Sequence, residues 1–170
     1  KYAEWRSKFA VGEQEPDSVT RCLAFGAARF GTMPVEIIQT PGQVTMGLGV
    51  LHDIRRIYLD GIGHTTGADP SYNGDSVGRW EGDTLVVESN NFLDGGWLDV
   101  WGSPLTDEGK ITERFTRPRF GELNIAITID DPKAYTAPFT VGVTQRIMVD
   151  QELIEFICNE YNRAAEHIAR

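Results

Sequence analysis

Two glutamates stand in otherwise apolar segments, and their carboxyl groups are candidates for acid and base chemistry. Glu113 shares one face of a predicted strand with Ile111 and Phe115, and Glu155 lies within the apolar segment 152–158. If these faces point inward, each carboxyl group is desolvated, which favours its neutral form and suits it to proton transfer. The pattern therefore predicts a catalytic role inside a pocket.

The same pattern also fits a structural role. Both carboxylates would then face solvent, or Glu113 would form an ion pair with an arginine such as Arg56 or Arg79. Only the orientation of the strands decides between the two roles.

Besides Glu113, three further residues are catalytic candidates. His52 ends the apolar face of a predicted strand, where an imidazole could act as a general base, although a hydrogen-bonded structural role stays open. Tyr135 could donate a hydrogen bond to a ligand carbonyl, and Asp99 lies in a loop that also carries two tryptophans. These tryptophans could form a pocket wall, or they could simply pack the loop.

The candidates for substrate binding share aromatic or charged side chains near predicted strand ends and loops. They are Tyr58, Arg79, Trp80, Trp97, Trp101, Arg114 and Glu155. The three histidines show no ligand spacing, and the two cysteines are far apart, so we expect no metal site. Because phosphate-binding loops and nucleophile motifs are also missing from the sequence, we expect no cofactor.

These residues must be positioned by short β-branched segments that turn signals such as Pro41-Gly42 separate. The predicted strands are 35–40, 43–52, 54–59, 77–80, 84–89, 111–117, 122–130, 139–149 and 152–158. Sequential hairpins favour an all-β fold, an antiparallel meander closed into a lipocalin-like (calycin-type) barrel. A two-sheet jelly roll is the alternative. Residues 1–34 are expected to form an N-terminal arm, and residues 35–170 the barrel with a C-terminal helix over 159–170.

Charge and composition limit the partners of this chain. Its net charge is −9, from 25 acidic and 16 basic residues, and the basic residues are scattered. Such a surface repels phosphate backbones, so we expect no nucleic-acid partner. No apolar run approaches the roughly 20 residues of a membrane-spanning helix, so we expect no membrane insertion. The expected partner is a small-molecule ligand or substrate, and the oligomeric state, a homodimer included, is left open.

Three segments resemble a family of uncharacterised bacterial exported proteins. They are Gly78–Ser89 (GRWEGDTLVVES), Thr112–Phe115 (TERF) and Ile127–Thr136 (ITIDDPKAYT). The resemblance extends from about Cys22 to Asn162, and it implies a periplasmic or secreted location and favours a Cys22–Cys158 disulfide over two free thiols. The chain starts at Lys1 rather than Met, as a processed or trimmed form would.

The resemblance also implies that five positions recur in the family as polar or aromatic residues. They are Trp80, Asp99, Glu113, Arg114 and Tyr135. The chain departs from the family at Pro104-Leu105-Thr106, where similar proteins have Pro-His-Ser. Any role of that histidine is therefore absent here or is taken by His52 or His64.

Two functions follow as hypotheses from this reasoning. The first is a cofactor-independent acid/base enzyme, a lyase, isomerase, cyclase or hydratase, that acts on a small apolar or hydroxylated molecule inside the barrel. The second is a lipocalin-like carrier, in which the same interior holds a small hydrophobic ligand without catalysis. A structural domain with a filled core is a third alternative.

Overall fold

The computed structural model describes residues 17–154 together with residues 4, 7, 156 and 158. Within these residues, two 3₁₀ helices, Ser18–Arg21 and Ala27–Thr32, precede ten β-strands. The strands are β1 (Val35–Thr40), β2 (Gln43–Leu48), β3 (Ile54–Tyr58), β4 (Asp75–Glu81), β5 (Thr84–Asn90), β6 (Gly96–Trp97), β7 (Pro104–Leu105), β8 (Lys110–Arg119), β9 (Glu122–Asp130) and β10 (Phe139–Arg146). The all-β class is therefore confirmed.

Eight of the strands form one sheet in the order β1-β2-β3-β4-β5-β8-β9-β10, and β6 pairs with β7 separately. Neighbouring strands are antiparallel except β3 and β4, which pair in parallel because a long loop returns the chain to the same end. Tight turns join the hairpins, and Gly82 (φ +61°) and Gly121 (φ +77°) supply the left-handed backbone that two of these turns require.

The sheet curls strongly into a half-barrel, and its concave face carries the core. Alternate residues of each strand point inward, which gives patterns such as Val44, Met46 and Leu48 in β2. The second 3₁₀ helix packs on this face, where the ring of Phe30 is fully buried. The core is therefore a curved sheet filled from one side by the segment that precedes it.

Ion pairing and an aromatic contact fix that segment in place. Arg29 donates from Nη1 to both carboxylate oxygens of Asp17, at 2.8 and 3.0 Å, and its guanidinium lies 4.2 Å above the centre of the Phe25 ring. The Asp53 carboxylate accepts the Phe25 backbone N–H at 2.7 Å. The described part of the predicted N-terminal arm is thus bonded to the sheet.

The predicted closure of the barrel is wrong. Among the described residues, no strand pairs with the free edge of β1 or β10, so the sheet stays open. One reason is that β10 ends at Arg146 rather than at residue 149. Another is that the described residues of the segment 152–158 form no strand that could bridge the two edges. The predicted C-terminal helix falls outside the described residues.

A disulfide joins Cys22, next to the first 3₁₀ helix, to Cys158. Of the two alternatives that the cysteines left open, the bonded form is therefore confirmed. Among the described residues, none of the helices has the length and hydrophobicity to span a bilayer.

Candidate functional site

An open cavity of about 480 Å³ occupies one end of the curled sheet, on its concave face. This is the end at which the β1–β2, β4–β5 and β8–β9 turns lie. The floor and walls are mostly apolar and come from inward positions of seven strands and from the residue that follows β10. They are Val35, Ile37, Val44, Met46, Ile57, Trp80, Leu85, Phe115, Leu123 and Ile147. Such a volume falls within the range of small-molecule pockets.

Polar side chains surround the mouth of this cavity, and some of them are already engaged. Gln145 donates from Nε2 to the backbone oxygens of Gly31 and Met33, at 3.0 and 3.1 Å. Glu122 accepts two hydrogen bonds from Arg119. The remaining polar members are Gln39, Asp83, Arg117 and Arg146. The cavity is therefore apolar at its base and polar at its opening.

Several wall residues are unusually exposed for large apolar side chains. Ile37 is 43% exposed, Trp80 49% and Ile147 55%. Ile37 lies in the edge strand β1, Trp80 lies near the end of β4, and Ile147 directly follows β10. Exposed apolar side chains that lie together mark a binding surface more often than isolated ones do. The cavity that these three residues line is therefore the first candidate for a functional site.

A buried polar cluster lies farther along the same concave face. Arg55 of β3 donates to the hydroxyls of Ser76 at 3.2 Å and Ser89 at 2.9 Å, and it forms an ion pair with Glu113 of β8. The two hydroxyl oxygens are 2.8 Å apart. Arg55 and Glu113 are each about 1% exposed, so the ion pair is shielded from water.

The position of this cluster decides how Glu113 can act. In β8 the glutamate stands two residues from Phe115, one layer deeper than the cavity wall, and neither member of the ion pair lines the cavity. Its partner is Arg55, not Arg56 or Arg79. One nitrogen of Arg55, Nη1, has no hydrogen-bond partner among the described residues. The cluster joins β3, β4, β5 and β8, and it therefore holds the parallel β3–β4 junction to the middle of the sheet.

The other catalytic candidates are not brought to the cavity. His52 is exposed in the turn between β2 and β3, with a left-handed backbone (φ +50°), because β2 ends at Leu48. Asp99 accepts hydrogen bonds from the backbone N–H groups of Trp101 and Ser103, which shapes its own loop. The Tyr135 hydroxyl donates to the Pro104 carbonyl oxygen at 2.8 Å. The structure therefore does not gather the four candidates at one site, although Asp99 and Tyr135 both bond to one loop, at the adjacent residues Ser103 and Pro104.

Of the substrate-binding candidates that the structure describes, only Trp80 lines the cavity. Tyr58 alternates with buried Ile57 and lies on the convex face, 39% exposed. Trp97 belongs to β6, outside the main sheet, and Trp101 is 69% exposed in the following loop. Glu155 lies outside the described residues.

The last two binding candidates, Arg79 and Arg114, form an ionic row on the convex face. Arg79 pairs with Glu88 at 2.6 Å and Glu81 at 3.0 Å, and Arg114 pairs with Glu81 at 3.0 Å. The hydrogen bond from Arg114, more than that from Arg79, lowers the pKa of Glu81. The hydrogen bond to Glu88 is the main cause that raises the pKa of Arg79. Between the two arginines, Val86 is buried beneath their aliphatic stems.

A smaller cavity of about 310 Å³ lies beside Lys133, next to β7. Lys133 pairs with Asp107 at 2.6 Å and with Asp94 at 3.5 Å. The hydrogen bond to Asp107 raises the pKa of Lys133 and lowers that of the aspartate. Among the described lining residues, Lys133 is the one cation, and both acids pair with it.

No three His, Cys, Asp or Glu side chains of the described part lie together as a metal site would require. No protein-family model, no curated protein and no solved structure matches this chain. The resemblance to an uncharacterised exported family therefore stays a prediction.

Most of the residues that line the cavity are not among the candidates predicted from the sequence. Their signal was the two-residue alternation itself, since inward positions near the turns continue the apolar face of each strand. Arg55 is not among those candidates either, because each face of β3 carries one arginine: Arg55 and Ile57 share one face, whereas Ile54, Arg56 and Tyr58 share the other. Both faces are partly apolar, so the pattern alone does not choose between them.

Proposed function

We propose that this chain binds a small, largely apolar molecule in the concave cavity, as the carrier hypothesis expects. The observation that supports this proposal is an apolar cavity of about 480 Å³ that opens to solvent. Burying an apolar ligand there would also cover Ile37 and Trp80, which are both more than 40% exposed. Removing apolar surface from water contributes roughly 25 cal/mol per Å².

The geometry favours binding over acid and base catalysis by Glu113. A general base must come within about 3 Å of the proton that it removes, directly or through one water. Glu113 is instead hydrogen-bonded to Arg55 and lies outside the wall of the cavity. The ionisable groups that do line the cavity stand at its mouth rather than converging over its floor. Catalysis by Glu113 stays a prediction, and substitution by glutamine tests it.

We also propose a periplasmic or secreted location. The Cys22–Cys158 disulfide supports it, because such bonds persist mainly in oxidising compartments. The resemblance to exported bacterial proteins points the same way.

Two neighbouring isoleucines of β1 provide a matched pair of variants that tests binding. Ile37 lines the cavity, whereas Ile38 points to the opposite face and is 52% exposed. We expect Ile37→Trp to fill part of the cavity and to weaken binding of the neutral probe N-phenyl-1-naphthylamine about tenfold. Ile38→Trp adds the same ring to the same strand and should leave the affinity within about twofold. Titration of probe fluorescence measures both affinities.

Two outcomes would contradict the proposal. One is that the unchanged protein fails to enhance the fluorescence of the probe at any concentration. The other is equal affinity of the two tryptophan variants, which would place the bound probe away from the cavity. Urea unfolding of both variants checks that neither result reflects a loss of fold.

A further inference from the structure

The mouth of the cavity carries two arginines that the described residues leave without an ion pair. Arg117 of β8 and Arg146 of β10 both line the cavity and are both exposed. The Arg117 guanidinium lies 5.4 Å from the centre of the Phe120 ring, and within the described part of the chain neither arginine has a carboxylate within 4.0 Å. Within the described residues, both arginines thus lack a carboxylate partner, although the whole chain has a net charge of −9.

The acidic groups at the same mouth do not cancel these cations. Glu122 is held by Arg119, whose Nη2 is 2.6 Å from its carboxylate. Asp83 is the other acid that lines the cavity. The charged lining is thus two arginines and two acids, and Glu122 is already paired with Arg119, which does not itself line the cavity. Among the described residues, the lining charges left without an ion pair are therefore two guanidinium groups and one carboxylate, that of Asp83. On the convex face, by contrast, Arg79 and Arg114 are both paired with Glu81.

We infer that the ligand of this cavity is an amphipathic anion, a free molecule with an apolar chain or ring and a terminal carboxylate. This inference rests on the proposed binding function and adds the chemical class of the ligand. The apolar part would lie against Phe115 and Leu85, and the carboxylate would meet Arg117 and Arg146 at the opening. Guanidinium groups suit this role because their paired N–H donors match the geometry of a carboxylate.

The order of polarity along the cavity supports this assignment. From Met46 and Ile57 at the base to the arginines at the mouth, the lining passes from buried apolar groups to exposed cations. A wholly apolar ligand would leave both arginines unused. A strongly polar ligand would bury its hydrogen-bonding groups against hydrocarbon, which is unfavourable. Because the arginines are exposed, their contribution to affinity is moderate and is screened by salt.

Three ligands with the same ten-carbon chain test the inference, namely decanoate, 1-decanol and decylamine. Isothermal titration at low ionic strength should give decanoate an affinity about tenfold higher than that of 1-decanol, equivalent to about 1.4 kcal/mol. Decylamine, which is cationic at neutral pH, should bind most weakly. Raising the salt concentration should reduce the advantage of decanoate and leave the affinity for 1-decanol nearly unchanged.

Single substitutions then locate the charge that recognises the anion. Arg117→Gln and Arg146→Gln should each weaken decanoate binding about threefold to fivefold and leave 1-decanol binding unchanged. Arg56→Gln is the matched control, because Arg56 is also exposed and lies on the convex face. It makes the same change in net charge and should alter neither affinity.

The possible results separate the two proposals. If decanoate and 1-decanol bind equally and the arginine variants change nothing, the anion inference fails while binding in the cavity stands. Stronger binding of decylamine than of decanoate would assign the opening to a cation through Asp83 and would also overturn the inference. If none of the three ligands binds while N-phenyl-1-naphthylamine still does, the anion inference fails and binding in the cavity stands. If neither the three ligands nor this probe binds, the proposed function itself fails.

Discussion

The two ends of the concave face use the same alternating strands and reach opposite results. At the closed end, Phe30 of the second 3₁₀ helix fills the curve of the sheet, and the Arg55–Glu113 ion pair is sealed beneath neighbouring strands. At the open end, Ile37 and Trp80 remain more than 40% exposed around a cavity. The concave face therefore becomes core where the second 3₁₀ helix covers it and stays available for binding where it does not. The composition of the strands is similar at both ends.

The largest effect expected from this comparison concerns two phenylalanines. Phe30→Ala at the closed end should lower the free energy of unfolding by about 3–5 kcal/mol, because it removes a buried ring and leaves a void. Phe120→Ala, at an open-end turn where the ring is 77% exposed, should change it by less than about 0.5 kcal/mol. Urea unfolding monitored by circular dichroism measures both. Similar losses for the two variants would remove the distinction between the two ends.

The next effect tests the buried ion pair. Glu113→Gln should lower the free energy of unfolding by about 3 kcal/mol, because it leaves the Arg55 charge buried without a counter-charge. The double variant Arg55→Met/Glu113→Met should recover most of this loss, since replacing both partners removes the unpaired charge. The folded fraction of the Glu113→Gln variant should bind N-phenyl-1-naphthylamine in the cavity as tightly as the unchanged protein does. A stable Glu113→Gln variant that has lost only a catalytic activity would instead favour the enzyme hypothesis.

A smaller effect is expected from the disulfide. Reduction, or the double variant Cys22→Ser/Cys158→Ser, should lower the free energy of unfolding by about 2 kcal/mol, because the bond closes a long loop of 136 residues in the unfolded chain. The lower part of the usual range is expected because the described residues around Cys158 belong to no strand. Unfolding midpoints with and without reductant give the value. No change on reduction would mean that the bond adds nothing to the sheet.

The smallest effect belongs to the exposed ionic row on the convex face. The pKa of Glu81 lies below its ordinary value of 4.5 in the folded chain, mainly because of Arg114. The ion pair therefore stabilises the fold above about pH 4.5, and this contribution is lost as the pH falls through the lowered pKa. Glu81→Gln should lower stability at pH 7 slightly and flatten the decline in acid by the same small amount. An unchanged acid limb would show that the row does not contribute.

Local structure could be predicted well from the sequence. The bounds of β1 and β9 agree with the predicted segments 35–40 and 122–130, because alternation and flanking turn residues specify each strand without help from its neighbours. The inward orientation of Glu113 also follows from its alternation with Ile111 and Phe115. The ion-pair partner of Glu113 could not be predicted from the sequence of β8, because Arg55 lies in β3 and two strands separate β3 from β8 in the sheet.

Closure and the position of the cavity depended on the tertiary structure alone. Whether a curled sheet closes depends on the curl accumulated over eight strands and on the pairing of β1 with the last strand, which no local pattern encodes. The cavity is likewise the space left where the second 3₁₀ helix ends, a relation between residues far apart in the chain. The sequence by itself determined which residues alternate and turn, whereas only packing determined which alternating face is covered and which stays open to a ligand.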